Sequence, residues 1–180
     1  MKPGTRALGI AESYTGERST LAGTVVRADR VVDDVCFTSC TVGGLDATSR
    51  IIDLWRDLDR PDVRYVVLAG IAPAWFNILD LARIHDAVER PVLSVSFEAS
   101  PGLSEAIRRE FDRPGERLER YERQPPRERV SVNDESVFVR SVGCDDPAGV
   151  VRAFTPEGGR PEPVRVARLA ARAADDYRTD

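Results

Sequence analysis

Apolar and polar residues alternate with period two through the first forty positions, and the period then changes. The stretch "RALGIAES", Arg6 to Ser13, reads as a strand, and Ser19 to Ala28 and Val31 to Val42 read as two more. The turn near Asp29 and Arg30 is short enough for these two to pair as antiparallel neighbours. From Asp46 onward Ile51, Ile52, Trp55 and Leu58 recur at helical spacing, and Asp46 or Thr48 can cap the helix they predict. Arg64 to Ala69 is the next strand, and Asn77 to Val88 is a helix with Asn77 at its start. "RPVLSVSFE" is a strand with its proline at the entrance, where the missing N–H costs least. A helix over Gly102 to Phe111 leads into the polar "GERLERYERQ". "RVSVNDESVFVRSVG" is a hairpin centred on Asn133 to Glu135. A short helix over Pro147 to Phe154, a stiff "TPEGGRPEP" linker and a helix over Val164 to Tyr177 complete the chain.

Three adjacent strands followed by strand–helix alternation are not a doubly wound pattern, because the opening lacks crossover helices. The order β-β-β-α-β-α-β-α predicts an α/β fold of the ribonuclease H-like type. Its core is expected to be a mixed five-stranded sheet flanked by helices, with the hairpin and the C-terminal helix as additions. No linker separates two sizeable cores, so residues 1–180 are expected to form one domain.

Composition narrows the functional classes. The net charge of -4 and pI of about 5.2 argue against a broadly basic surface, though not against a local one. Lys2 is the only lysine, so the cations are arginines, which can grip phosphate or carboxylate through two parallel bonds. A GC-rich genome or a salt-loving host produces the same bias. The longest apolar run contains Pro73 and is too short to span a membrane, and no signal peptide opens the chain. A cytoplasmic protein without a membrane partner is expected. Cys36, Cys40 and Cys144 form no CxxC, and with His85 as the only histidine they suit buried thiols better than a structural metal site. His85 has no paired nucleophile and does not suggest a triad.

The candidate chemistry gathers where strands end. "VVLAGIAPAWFN", Val66 to Asn77, is a buried strand that stops abruptly, and in open α/β sheets such carboxyl ends collect ligands. Two-metal phosphoryl chemistry needs carboxylates converging on ions about 4 Å apart. Glu12, Asp46 and Glu98 stand at suitable ends, with Asp80 one turn into the following helix. Asp46 can equally favour a helix start, and Glu12 can be an ordinary strand-end charge. Arg165, Arg168 and Arg172 fall at i, i+3 and i+7, a basic helix face suited either to phosphate or simply to solvent.

The segments "RALGIAES", "CTVGGLDAT", "VVLAGIAPAWFNILDL", "RPVLSVSF" and "PEPVRVARLAA" together resemble the archaeal domain-of-unknown-function family ninety-nine, whose members are endonuclease V-like. The resemblance runs from about Arg6 to Ala174 and implies a ribonuclease H-like fold descended from a magnesium-dependent nuclease. It also implies where the chemistry should be. The family's glycine-isoleucine-aspartate-aspartate is Gly9-Ile10-Ala11-Glu12 here, and its aspartate-glycine is Ala69-Gly70. The histidine often found in its last helix is Arg168, whereas Asp46, Phe76, Asn77 and Asp80 are kept. Alanine cannot bind a metal. The expectation is therefore a degenerate nuclease fold with cleavage lost or strongly reduced and no cofactor. Asp46, Asn77, Asp80, Arg168 and Arg165 are expected to bind nucleic acid or a phosphorylated small molecule. One alternative is an active magnesium-dependent endonuclease using Glu12, Asp46 and Glu98, which requires Glu12 to bulge into the place left by Ala11. Another is a non-catalytic protein-interaction module, and a homo-oligomer is compatible with any of these.

Overall fold

The computed structural model describes residues 1–179 and places seven strands in one mixed sheet. They are β1 (Arg6–Tyr14), β2 (Arg18–Arg27), β3 (Val32–Thr41), β4 (Val63–Ala69), β5 (Val92–Ser96), β6 (Glu128–Val132) and β7 (Glu135–Val142), in the order β3-β2-β1-β4-β5-β7-β6. β1, β4 and β5 run parallel, and the pairs β1–β2, β2–β3, β5–β7 and β6–β7 are antiparallel. The expected five-stranded sheet is thus too small. β7 pairs with β5 from Val92↔Val142 to Ser96↔Phe138, so the hairpin extends the sheet. Its valines explain why. Val130, Val132, Val137 and Val139 alternate onto one face and are at most 5% exposed, which a two-stranded hairpin standing alone could not achieve.

Each face of the sheet has its own core. On one, Leu8, Ile10, Leu21, Val25, Val66 and Leu68 pack with α1 (Ala47–Leu58) and with α3 (Leu81–Val88), the helix before β5. On the other, Ala7, Val67, Leu93 and Val95 pack with α6 (Pro147–Ala153) and with Val164 of α7 (Glu162–Thr179). Between β5 and β6 lie α4 (Ser104–Glu110) and α5 (Gly115–Glu122). Among the described residues no helix is long and apolar enough to cross a membrane.

α7 lies very close to the sheet. A methyl group at Gly9 would fall 2.1 Å from the carbonyl carbon and oxygen of Pro163, so only glycine permits this approach. The buried Thr24 hydroxyl donates to Pro163 O at 2.9 Å. Farther along α7 the buried Asp175 accepts from Thr15 Oγ1 at 3.1 Å and from Arg178 at 3.0 Å.

The helix expected from Asn77 begins later, at Leu81, with the Asp80 side chain accepting from Arg83 N as its cap. Before it comes a single turn, α2 (Pro73–Phe76), which winds the wrong way. Ala74, Trp75 and Phe76 have φ of 48°, 57° and 57°. The left-handed region costs a side chain about 1–2 kcal/mol per residue, so the surroundings must hold this turn. Gly43 N–H donates to Ala74 O at 2.7 Å, Asn77 N–H donates to Pro73 O at 2.9 Å, and Phe76 packs edge-on against Phe111 at 6.0 Å.

Candidate functional site

Because β1, β3, β4 and β5 all point one way, their carboxyl ends share one edge of the sheet, and the loops after them meet there. Asp46 and Asn77 do sit together on this edge, Asp46 at the start of α1 and Asn77 just past the end of α2, not at the start of a helix as its place in the sequence suggested. Asn77 is fully buried. Its Nδ2 donates to Asp46 Oδ1 at 2.8 Å and to Thr41 O at 2.9 Å, while its Oδ1 accepts from Ala47 N at 3.0 Å. Asp46 occupies the N-cap position of α1 without capping it; its carboxylate accepts from Thr41 N and Thr41 Oγ1 at 3.1 and 3.2 Å. Burial alone would raise the Asp46 carboxyl, but these hydrogen bonds, that from Asn77 foremost, hold it below the usual carboxylate range. The pair ties the end of β3 to the start of α1. Asp80 N–H donates to Thr48 Oγ1 at 3.0 Å and joins the same scaffold.

The open feature of this edge lies on the α7 side. A cleft of about 270 Å³ is lined by Ala69 and Gly70 at the end of β4, by Ser96, Phe97 and Glu98 at and just past the end of β5, and by Arg160, Val164, Arg165 and Arg168. Arg160 stacks over Phe97 at 4.3 Å from the ring centre. Arg165 is held by two parallel bonds to Glu162, at 2.7 and 2.9 Å, which raise its pKa further. Arg168 is exposed and has no ion-pair partner among the described residues. Glu162, one potential partner, is taken by Arg165, and Asp175 bonds to Arg178. Arg172, the third cation of the same helix face, is exposed and does not line the cleft.

Ala69, Gly70 and Arg168, three positions at which the chain departs from or matches the family pattern, thus share one cleft. Ala11 lies on the same side of the sheet as Gly9, two residues earlier, and is only 3% exposed beneath α7. Glu12 faces the other way. β1 and β2 stay in register through Ala11↔Ala22 and Glu12↔Leu21, so no bulge turns it inward, and Glu12 Oε2 accepts from Ser19 Oγ at 2.9 Å on the α1 side. There burial, followed by Asp46 and Glu12, pushes the Cys40 thiol up to about 12. Glu98 lines the cleft on the opposite side of the sheet. The structure therefore does not bring Glu12, Asp46 and Glu98 together. Among the described residues no three His, Cys, Asp or Glu side chains are placed to hold a metal ion. Ala11, Ala69 and Arg168 do not fit the divalent ions that a nuclease of this fold implies. His85 serves the scaffold: its Nδ1 lies 2.8 Å from Arg90 O, and its ring packs on Gly143.

Sequence reading missed Arg160 and Phe97. Arg160 sits in a glycine- and proline-rich linker with no periodicity to flag it, and Phe97 looked like the tail of a buried strand. It also missed a second pocket of about 240 Å³ that shares Ser96 and Glu98 with the cleft and continues past Ile71 and Ala72 to Tyr121, Arg127 and Phe138.

A mixed sheet with three leading antiparallel strands, parallel β1, β4 and β5, and a C-terminal helix across β1 defines a ribonuclease H-like fold of the kind seen in endonuclease V. Known proteins agree. Endonuclease V of Ciona intestinalis, solved with a 24mer DNA containing an inosine followed by a ribo-adenosine, superposes with a TM-score of 0.62 at 13% identity, covering 96% of this chain and 86% of that one. A protein of unknown function from Archaeoglobus fulgidus superposes with a TM-score of 0.84 at 25% identity, over 94% and 98% of the two chains. The model of the family described as Endonuclease dU matches residues 3–175, and the chain belongs to that family. A UPF0215 protein of Methanopyrus kandleri is 34% identical over 181 residues, covering 95% of this chain and 91% of its own.

Proposed function

We propose that this protein binds nucleic acid through backbone phosphates in the arginine cleft and has lost, or nearly lost, metal-dependent cleavage. The observation that carries this reading is the unpaired Arg168 guanidinium in a cleft whose β4 wall is Ala69, where the family pattern has an aspartate. A carboxylate there would need a cation between itself and a phosphate. An alanine beside three arginines lets the phosphate approach directly, through charge-assisted N–H donors. Arg168 and Arg165 supply the contacts that alignment with phosphate requires, Arg160 adds a third, and Glu98 limits the cleft to one side.

The test is Arg168→Glu in a low-salt titration with labelled single-stranded and duplex oligonucleotides. Binding should weaken markedly, and the slope of log affinity against log salt should shrink by about one, the expected effect of losing one phosphate contact. Circular dichroism should be unchanged, because the side chain is exposed. Unaltered affinity in the folded variant removes Arg168 from the site.

The family description favours a second reading, in which DNA containing deoxyuridine is cut. With magnesium or manganese, the purified protein is expected to leave DNA containing deoxyuridine or deoxyinosine, and structured RNA, intact. Robust turnover abolished by Asp46→Ala would replace the first reading with the second.

A further inference from the structure

The left-handed turn after β4 inverts the usual logic of burial. Ala74 is 1% exposed, whereas the much larger Trp75 is 47% exposed. A turn serving packing alone would bury the indole and leave the alanine outside. Here three successive residues hold an unfavourable backbone conformation, and the result is an indole presented to solvent. The ring is also held in place. Its edge lies beside Gly43, and Phe76 meets it edge-on at 5.3 Å. Phe76 is backed by Phe111, over which the Arg117 guanidinium stacks at 3.9 Å. Arg117 in turn donates to the Gly43 carbonyl, which closes the ring of contacts around the turn.

The chain from the cleft to Trp75 is short and continuous. Ala69 and Gly70 line the cleft, Ile71 and Ala72 line the adjoining pocket, and the turn follows at once. Trp75 is five positions after Gly70, and an extended chain covers about 3.4 Å per residue, so the two lie within about 17 Å. A stacked strand advances about 3.4 Å per nucleotide, so this is the reach of about five nucleotides.

We infer that Trp75 is a stacking platform for an unpaired base of a nucleic-acid strand whose phosphates lie in the arginine cleft. The inference rests on the reading of that cleft given above. Every base has a π-face, so the platform selects for unpaired nucleotides and not for a particular base. An immobilised indole loses little freedom when a base stacks on it, which is what the strained turn provides.

The test uses the Trp55→Phe protein, in which Trp75 is the only tryptophan. It is titrated with an end-labelled thymidine oligomer of about ten nucleotides, sized from the spacing above, and with an abasic oligomer of the same length. Label anisotropy reports binding, and Trp75 emission reports stacking. The thymidine oligomer should quench Trp75 and bind roughly 5- to 100-fold more tightly than the abasic one, the range typical of one stacked base. Trp75→Ala should erase that difference while leaving abasic binding unchanged, and Trp75→Phe should retain most of it. Equal affinity for the two oligomers, or binding without quenching, overturns the inference and leaves the cleft intact. Binding of neither oligomer overturns the cleft reading and this one with it. The quenching comparison needs no substitution at Trp75, so it stands even if Trp75→Ala fails to fold.

Discussion

Replacing Asn77 with alanine removes a fully buried side chain that makes three hydrogen bonds, to Thr41 O, Asp46 Oδ1 and Ala47 N. Two neutral bonds are worth about 1 kcal/mol each, and the bond to the Asp46 carboxylate about 1.5–3 kcal/mol. The variant also leaves the buried Ala47 N–H without that partner, whereas the Thr41 carbonyl keeps its bond from Gly44 N–H at 3.0 Å. A loss of roughly 3–5 kcal/mol is expected at neutral pH, a large share of the ~5–15 kcal/mol that holds a typical domain together. The loss should depend on pH. The Asp46 carboxyl sits below its ordinary value in the folded protein, so its hydrogen bonds stabilise the fold fully above the unfolded pKa of about 3.9. That contribution disappears as pH falls through the lower folded pKa. Since Asn77 is the foremost donor holding it down, wild type and Asn77→Ala should converge in stability on acidification. Urea unfolding of both proteins between neutral pH and about pH 3 measures this. A deficit under ~1 kcal/mol, or one that stays constant across the range, refutes the account of the Asp46–Asn77 pair as the tie between β3 and α1.

Gly9→Ala places a methyl group 2.1 Å from the Pro163 backbone, and a clash between main chains relaxes poorly. It should cost about 2–3 kcal/mol or more in urea unfolding and should weaken oligonucleotide binding by displacing α7; a neutral effect on both contradicts the close approach. Asp62, held by Arg60 at 2.8 Å, has its carboxyl lowered to about 2, mainly by that hydrogen bond. Its stabilisation is present above about pH 4 and lost as pH falls towards that folded value, so Asp62→Asn should flatten this part of the acid unfolding curve. Val139→Asp would bury an unpaired carboxylate at a position 2% exposed and should cost about 3 kcal/mol or more in urea unfolding; a mild effect would mean that β7 is not part of the central sheet.

The strands were legible because their periodicity is clean, as in β1 and in the run from Val92 to Ser96. What periodicity cannot report is which strand an element pairs with. The hairpin was visible in "RVSVNDESVFVRSVG", but its attachment to β5 depends on valines meeting a core assembled from residues some forty positions earlier. The turn at Pro73–Phe76 was hidden for another reason: proline and three bulky or apolar residues before an asparagine look like an ordinary helix start, and only tertiary contacts force the left-handed path. At the candidate site, the departures at Ala11 and Ala69 were readable from the family pattern, whereas strand alternation put Glu12 on the opposite face only for a regular strand, and the unbroken β1–β2 register decides that. Arg160 was not, because it reaches the cleft from an aperiodic linker.

One consequence follows from α7, which is both the cover of β1 and a wall of the cleft. In chain order it comes after every strand, and Arg160, Arg165 and Arg168 all belong to it or to the segment just before it. During synthesis, which proceeds from the amino end at about 5–20 residues per second, the sheet can form while the face of Ala7, Ala11 and Val26 is still bare. That apolar face invites aggregation or a chaperone for the few seconds before α7 arrives. The arginine cleft is completed in the same moment as the cover, so an unfinished chain has a sheet but lacks the wall on which the proposed phosphate binding rests.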